Sequence, residues 1–314
     1  MHVLDAQATR RALPFEALIP ALRRMFIEGC EVPRRHVHQV GSFTSLLMPA
    51  WNAQHYGLKT INIAPGNAAR DLPGLHAVYQ LFDATTGVPL ALLDGDEITA
   101  RRTAAASALA ASFITPARPR RLLVVGAGRV ARLLPPAYAA VRPLQQVTVW
   151  ARSATQAEAL AAEWRAQGFA AQAVNDLEAA VRAADIVSCA TLATSPLVQG
   201  AWLAEGSHLD LIGSFTPQMR EADDACLAGA RLYVDTEEAL EKSGDLLGPL
   251  SRGVFTAADV RGTLAALCRG QVAASGSQGD GLPGAGRGRT VFKSVGTALE
   301  DLAAAVLAFQ AASA

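Results

Sequence analysis

The stretch Leu122-Leu-Val-Val-Gly-Ala-Gly-Arg-Val-Ala131 limits what this chain can fold into more than any other. Four apolar residues run into Gly126-Ala-Gly128, and Ala131 takes the third small position of a G-x-G-x-x-G/A pattern. The pattern predicts a buried strand, a tight turn and the start of a helix. Gly126 permits the turn, Gly128 lets the backbone approach a pyrophosphate, and Ala131 lets the helix lie close to the strand. The helix N-terminus then offers unpaired N–H groups and a partial positive charge to an anion. A dinucleotide site is the expectation.

The surrounding residues 119–290 alternate in character. Leu122–Val125, Gln146–Trp150, Ala170–Val174, Ile186–Ala190, His208–Ile212 and Arg231–Val234 read as strands, with helices between most of them, which predicts a parallel, doubly wound sheet. Ser153-Ala-Thr-Gln156 has the form of a capping box opening a helix that runs to about Gln167. Pro135-Pro136 falls inside the helix after the glycine turn; an interior proline costs about 3 kcal/mol, so a kink or early break is expected there.

Residues 1–118 read differently. Phe15, Leu18, Ile19, Leu22 and Phe26 predict a helix from Pro14 to Ile27. Val37–Val40, Thr44–Met48, Leu58–Ile63, Ala77–Phe82 and Pro89–Leu93 follow as strands without intervening helices, so this sheet is expected to be mostly antiparallel, with Asp83–Gly87 as a hairpin turn. Thr99 is expected to cap a long Ala-rich helix from Ala100 to about Phe113, ended by Pro116 and Pro119. Near the other end, Ser275–Gly288 holds six glycines and reads as a surface loop, followed by a strand Thr290–Ser294 and an apolar helix Gly296–Ala312.

Composition excludes several classes. Of 314 residues 51% are apolar and 18% charged, enough to bury a full core. Twenty-eight basic residues balance 28 acidic ones, which argues against a broad electrostatic surface for nucleic acid or anionic membrane. No apolar run approaches the roughly 20 residues of a membrane span, and the first residues lack the pattern of a signal peptide. Cys30, Cys189, Cys226 and Cys268 are scattered, without a CxxC, and read as reduced core residues of a cytoplasmic protein with no metal site.

The second strand of a dinucleotide fold ends beside the ribose. Here it ends Val149-Trp150-Ala151-Arg152-Ser153, with no carboxylate to accept from a 2′-OH and an arginine suited to a 2′-phosphate. NADP(H) is therefore favoured over NAD(H), with Arg152 and Ser153 as cofactor-binding candidates. The first block offers Arg34, Arg35, Lys59, Arg101 and Arg102 as cations for a small carboxylate. Composition does not choose among them, and each is equally readable as an ordinary surface charge.

A resemblance does choose. Pro33-Arg-Arg35, Leu47-Met-Pro-Ala50, Tyr56-Gly-Leu-Lys59, Arg102–Ala110, Gly126-Ala-Gly128, Glu238–Asp245 and Val291–Gly296 occur in the order found in the ornithine cyclodeaminase/mu-crystallin family, which the chain resembles over nearly its whole length. The resemblance implies a Rossmann domain over 119–290 and an α+β domain made of 1–118 with 291–314 that binds substrate and forms a homodimer. It implies that Arg35, Lys59 and Arg102 converge on a substrate carboxylate beside the nicotinamide, with Met48, Ser294 and Val295 lining the pocket. Arg129, Val130, Thr191, Ile212 and Gly213 would touch the cofactor.

The departures matter as much. Where ornithine cyclodeaminases carry a catalytic acid this chain has Phe215; it has Met219 for a lysine, Leu46 for the acid that meets the substrate nitrogen, and Ala151 for the acidic ribose ligand. Phenylalanine cannot accept a proton and leucine cannot hold an ammonium. Hydride transfer needs less: a clamped carboxylate, a nicotinamide and a proton source. The expectation is thus a reductase of small imino acids such as cyclic ketimine carboxylates, with Lys59 and Arg102 catalytic and Lys59 or a water as proton source. His36, His38 and His76 are weaker candidates. The alternatives are a true cyclodeaminase, an alanine-dehydrogenase-like enzyme, and a crystallin-like protein that binds NADPH and a small ligand without turnover.

Overall fold

A computed structural model describes residues 1–115, 118–273 and 288–313. Residues 275–287 of the expected glycine-rich loop lie outside the described residues. The chain divides into two compact units, Met1–Thr103 with Thr297–Ala314, and Ala104–Gly296.

The first unit opens with β1 (His2–Leu4), α1 (Ala6–Ala12) and α2 (Phe15–Glu28). Asp5 caps α1 by accepting from the Ala8 N–H at 2.7 Å. In α2 the buried face is Phe15, Leu18, Ile19, Leu22, Met25 and Phe26, the spacing of a helix half-sunk in a core, and Gly29 at φ 81° ends it. Strands β2 (His36–Val40), β3 (Phe43–Trp51), β4 (His55–Ile63), β5 (Leu75–Asp83) and β6 (Pro89–Asp94) follow. The sheet order is β1-β6-β5-β4-β3-β2, antiparallel throughout except that β1 runs parallel to β6.

Helix α3 (Gly95–Ile114) begins five residues earlier than its alanines suggested. The reason is Asp94-Gly-Asp-Glu97: the Asp94 carboxylate accepts from the Glu97 N–H at 2.7 Å, as an N-cap does. Thr99 is therefore inside the helix, and its hydroxyl donates back to the Gly95 carbonyl at 2.7 Å rather than capping.

The second unit contains β7 (Arg121–Val125), α4 (Arg129–Ala139), β8 (Gln146–Trp150), α5 (Ala154–Ala166), β9 (Ala171–Ala173), α6 (Leu177–Ala183), β10 (Ile186–Cys189), β11 (His208–Leu211), β12 (Arg231–Val234), α7 (Ala239–Lys242), α8 (Gly244–Ser251), β13 (Val260–Thr263), α9 (Leu264–Cys268) and β14 (Thr290–Lys293). The chain then returns to the first unit as α10 (Ala298–Ser313), which packs with α2 over β3 and β4. All eight strands of the second sheet are parallel, in the order β13-β12-β14-β11-β10-β7-β8-β9. β7 sits where the order reverses, with β8 on one side and β10 on the other, which is the Rossmann arrangement. Every residue of β10 and β11 is buried, as expected for strands covered on both faces.

Two expectations need correction. β14 is hydrogen-bonded between β11 and β12, so the second unit extends to Gly296 and does not stop at 290. And α4 runs through Pro135 and Pro136 to Ala139 without a break. Pro136 leaves the carbonyl of Arg132 without its helical donor, and the Trp164 indole N–H donates to that oxygen at 3.0 Å instead. Among the cysteines, Cys189, Cys226 and Cys268 are buried, whereas Cys30 is only half-buried. Among the described residues no helix is long and apolar enough to cross a membrane.

Candidate functional site

In the first unit, cross-strand register puts Met48, Lys59, Tyr79 and Leu93 in one row on the face that α10 covers. All four are buried. The ladder between β2 and β3 pairs His36 with Leu47, which carries Arg35, one residue ahead of β2, to the next step of the row beside Met48. Arg35 is half-exposed.

Lys59 and Arg102 meet on one carboxylate. Asp301 of α10 accepts Lys59 Nζ at 2.5 Å on Oδ2 and Arg102 Nε at 2.9 Å on Oδ1. Glu300 takes Arg102 Nη1 at 2.6 Å. Lys59 is 1% exposed and Arg102 6%, while both acids are fully buried. Two cations and two anions thus balance out of contact with water. Burial pulls Lys59 down to about 8, with neighbouring Arg102 pulling the same way and Asp301 resisting. Burial alone would raise Asp301, but Lys59 and Arg102 hold it below the ordinary carboxylate range. The donors are not exhausted: Lys59 has three N–H bonds and gives one to Asp301 and a long one, 3.4 Å, to the Thr99 hydroxyl, and Arg102 has five and uses two. Neither acid was singled out from sequence, because Glu300-Asp301 reads as the ordinary acidic first turn of a helix.

The other cations of the first block divide. Arg101, next to Arg102 on α3, donates to the Leu13 carbonyl at 2.8 Å and lies 4.6 Å over the Phe15 ring, so it is a packing residue and no surface charge. Arg34 is exposed. His36 and His38 are exposed with stacked rings 6.5 Å apart, and His76 is exposed.

In the second unit the glycine turn follows β7. Gly126 has φ 118°, and a Cβ there would lie 2.6 Å from the Ala190 carbonyl oxygen, so the position demands glycine. Gly128 caps α4 without a side-chain hydrogen bond, and a Cβ on it would meet nothing within 4 Å. Open space ahead of a helix N-terminus fits a pyrophosphate. Arg129 is exposed and Val130 half-buried at the start of α4; Arg152 is exposed at the end of β8, and Ser153 caps α5 by accepting from the Gln156 N–H at 3.3 Å.

Thr191 and Ile212-Gly213 follow the C-terminal ends of β10 and β11. A residue that sequence reasoning missed joins them: Glu221 accepts from the Thr191 N–H and hydroxyl and from the Gly213 N–H. Burial pushes its carboxyl up to about 7, against the pull of Lys293. Ser294 is buried and half-buried Val295 donates its N–H to Asp235 at 2.8 Å. Two large apolar side chains stand exposed beside these strand ends, Leu192 at 74% and Phe215 at 46%. Met219 is half-buried, as are Leu46 and Ala151.

Comparison with known proteins agrees with this geometry. The chain is 40% identical to a Delta(1)-pyrroline-2-carboxylate reductase of Paracoccus denitrificans, across 92% of this chain and 90% of that one. It is 35% identical to a protein of the same name from Colwellia psychrerythraea, across 97% of both. Among solved structures, Delta(1)-pyrroline-2-carboxylate reductase of Thermococcus litoralis, in complex with NADH and L-proline, superposes with a TM-score of 0.91 at 30% identity, covering 99% of this chain and 97% of that one. The model of the ornithine cyclodeaminase/mu-crystallin family matches residues 22–314, and the chain belongs to that family.

Proposed function

We propose that this protein is an NAD(P)H-dependent reductase of small imino acids, taking cyclic ketimine carboxylates of the Δ1-pyrroline-2-carboxylate type. The observation that carries the reading is the pairing of Lys59 and Arg102 on Asp301, with Arg102 left only a sliver of exposed surface. Burying four charges costs several kcal/mol per ion, and an apolar cluster would avoid it. Cations kept there with N–H bonds to spare suit a ligand carboxylate. Relatives named as pyrroline-2-carboxylate reductases act on such an acid.

In the reaction, Arg102 and Lys59 hold the substrate carboxylate and so fix the adjacent C=N group, with Arg35 as third cation and Met48 as apolar lining. A nicotinamide, when bound, would supply the hydride for the imine carbon. Lys59 holds a proton at Nζ at neutral pH, and a pKa of about 8 lets it hand that proton to the imine nitrogen. Gly126, Gly128, Arg129 and Val130 would hold the pyrophosphate of the cofactor; Thr191, Ile212 and Gly213 would hold its nicotinamide half.

NADP(H) is the favoured cofactor, supported by exposed Arg152 and half-buried Ala151 at the end of β8 where an acid would select NAD(H). The protein acts as a cytoplasmic homodimer. The sheet face of the first unit away from α10 supports the dimer, since it carries Val3 at 70% and Val78 at 45% exposure with half-buried Leu47 and Leu58.

The test is oxidation of NADPH and of NADH, followed at 340 nm, against a panel of cyclic imino acids, with ornithine and pyruvate plus ammonia as comparisons. Steady NADPH consumption with a cyclic imino acid is expected. Ammonia release from ornithine with no net change at 340 nm, or turnover of pyruvate plus ammonia alone, overturns the reading.

A further inference from the structure

Glu221 and two motif residues, Asp245 and Lys293, form a buried array in the second unit. Glu221 Oε1 accepts the Thr191 N–H at 2.7 Å and the Thr191 hydroxyl at 2.8 Å, while Oε2 accepts the Gly213 N–H at 2.6 Å. Asp245 Oδ1 accepts the backbone N–H of Glu221 at 2.8 Å and of Ala222 at 3.2 Å, and its Oδ2 faces Lys293 Nζ at 3.4 Å. All three side chains are buried. Two carboxylates against one ammonium is an expensive way to fill a core.

The array is rooted on β14 through Lys293 and reaches out of the core. It holds two loop residues at the C-terminal ends of β10 and β11, where open α/β sheets take their ligands. A Cβ on Gly213 would overlap the Thr191 carbonyl and come within 2.5 Å of Glu221 Oε1, and a Cβ on Gly126 would lie 3.2 Å from Thr191 Cγ2. The glycine turn, Thr191 and Gly213 are therefore one continuous rim with Glu221 beneath it. Leu192 and Phe215, exposed beside that rim, are apolar surface that a flat ring would cover.

We propose that Glu221, backed by Asp245 and Lys293, is a positioning residue for the nicotinamide half of the dinucleotide. The proposal rests on the cofactor reading above. Both carboxylate oxygens serve as acceptors, so a glutamine must turn its NH2 toward a Thr191 or a Gly213 donor and push that loop off the rim. The phosphates and adenine half belong to Gly126, Gly128 and Arg152, none of which Glu221 touches with a hydrogen bond.

The experiment titrates the full-length wild type and Glu221→Gln with NADPH and with 2′-phospho-ADP-ribose, which lacks the nicotinamide, by calorimetry. Glu221→Gln is expected to bind NADPH about tenfold more weakly and the ring-less fragment as tightly as wild type, with Glu221→Asp recovering part of the loss. Should Glu221→Gln not fold, Thr191→Val removes one of the three donors and shows the same selective loss, smaller in size. Equal weakening of both ligands, or of neither, overturns the proposal. A wild type that binds neither NADPH nor the fragment overturns the cofactor reading itself, and this proposal with it.

Discussion

Replacing Asp301 by Asn tests the cation cluster most sharply. The side chain keeps its shape but loses its charge, leaving Lys59 and Arg102 against Glu300 alone, a net charge of plus one sealed from water. Breaking a buried pair from one side costs about 3–5 kcal/mol. For a unit of this size that lowers Tm by about 10 °C. Lys59 offers the only relief, by giving up its proton. Burial already pulls it down to about 8, and without Asp301 it falls further. The sign of the pH dependence follows. Unfolded lysine stays protonated to well above pH 9, so the lowered folded pKa penalises the native state wherever the ammonium must form in it. That penalty is larger in the variant below pH 8, and it becomes equal in the two proteins above pH 8, where Lys59 is neutral in both. The gap in Tm should therefore be wider at pH 6.5 than at pH 9. A neutral Lys59 also neither attracts a carboxylate nor donates a proton, so kcat/KM at pH 7 should fall about 100-fold or more. Thermal melts at the two pH values and imine-dependent NADPH oxidation read both effects. An Asp301→Asn variant that melts with wild type at pH 6.5 and keeps its kcat/KM refutes the reasoning.

Wild-type kcat/KM for the imino acid should decline as pH rises through about 8, since the Lys59 ammonium is then lost; a profile flat from pH 7 to 9 contradicts its role as proton donor. Arg102→Lys should raise KM for the imino acid by about 30-fold, because one ammonium cannot serve Asp301, Glu300 and a bidentate carboxylate together; steady-state kinetics decide. Gly213→Ala drives a methyl group into the Thr191 carbonyl and should weaken NADPH binding about tenfold or more, measured by calorimetry, and unchanged affinity would show that the rim yields freely.

What the sequence displayed and what it hid separate by range. The glycine turn, the six strands of residues 119–234 and the antiparallel run of residues 36–94 were legible because hydrophobic period and turn residues are local. The same local logic failed where a distant group intervened. Pro135-Pro136 reads as a helix breaker until the Trp164 indole, 32 residues from Arg132, takes up the stranded carbonyl. Arg101 and Arg102 are indistinguishable in sequence, yet a helix turns about 100° per residue, so one points at Phe15 and the other at Asp301. Asp301 lies 199 residues beyond Arg102, and no spacing rule connects them. Glu221 was visible only as one acid among 28, because its partners, two backbone N–H groups and the Thr191 hydroxyl, sit on loops whose course no local pattern reveals. A signal was present for Asp245 and Lys293, which fall in recurrent motifs that the expected chemistry left without a task.

Charge balance bears on the choice of substrate within the family. Lys59 and Arg102 are matched by Glu300 and Asp301, so the cluster by itself is neutral. A protonated cyclic imine carboxylate is a zwitterion and adds no net charge to a site that cannot be screened by water. Ornithine carries a second ammonium, and taking it from water calls for a further buried acid. Such an acid is missing where the resemblance to cyclodeaminases would place it, since Leu46 is apolar. Converting this chain to a diamine acid specificity should therefore need an anion at position 46 before any change to the cations. Leu46→Glu is the simplest case, and isothermal titration with ornithine, silent for the parent, should then show binding that the uncharged Leu46→Gln does not.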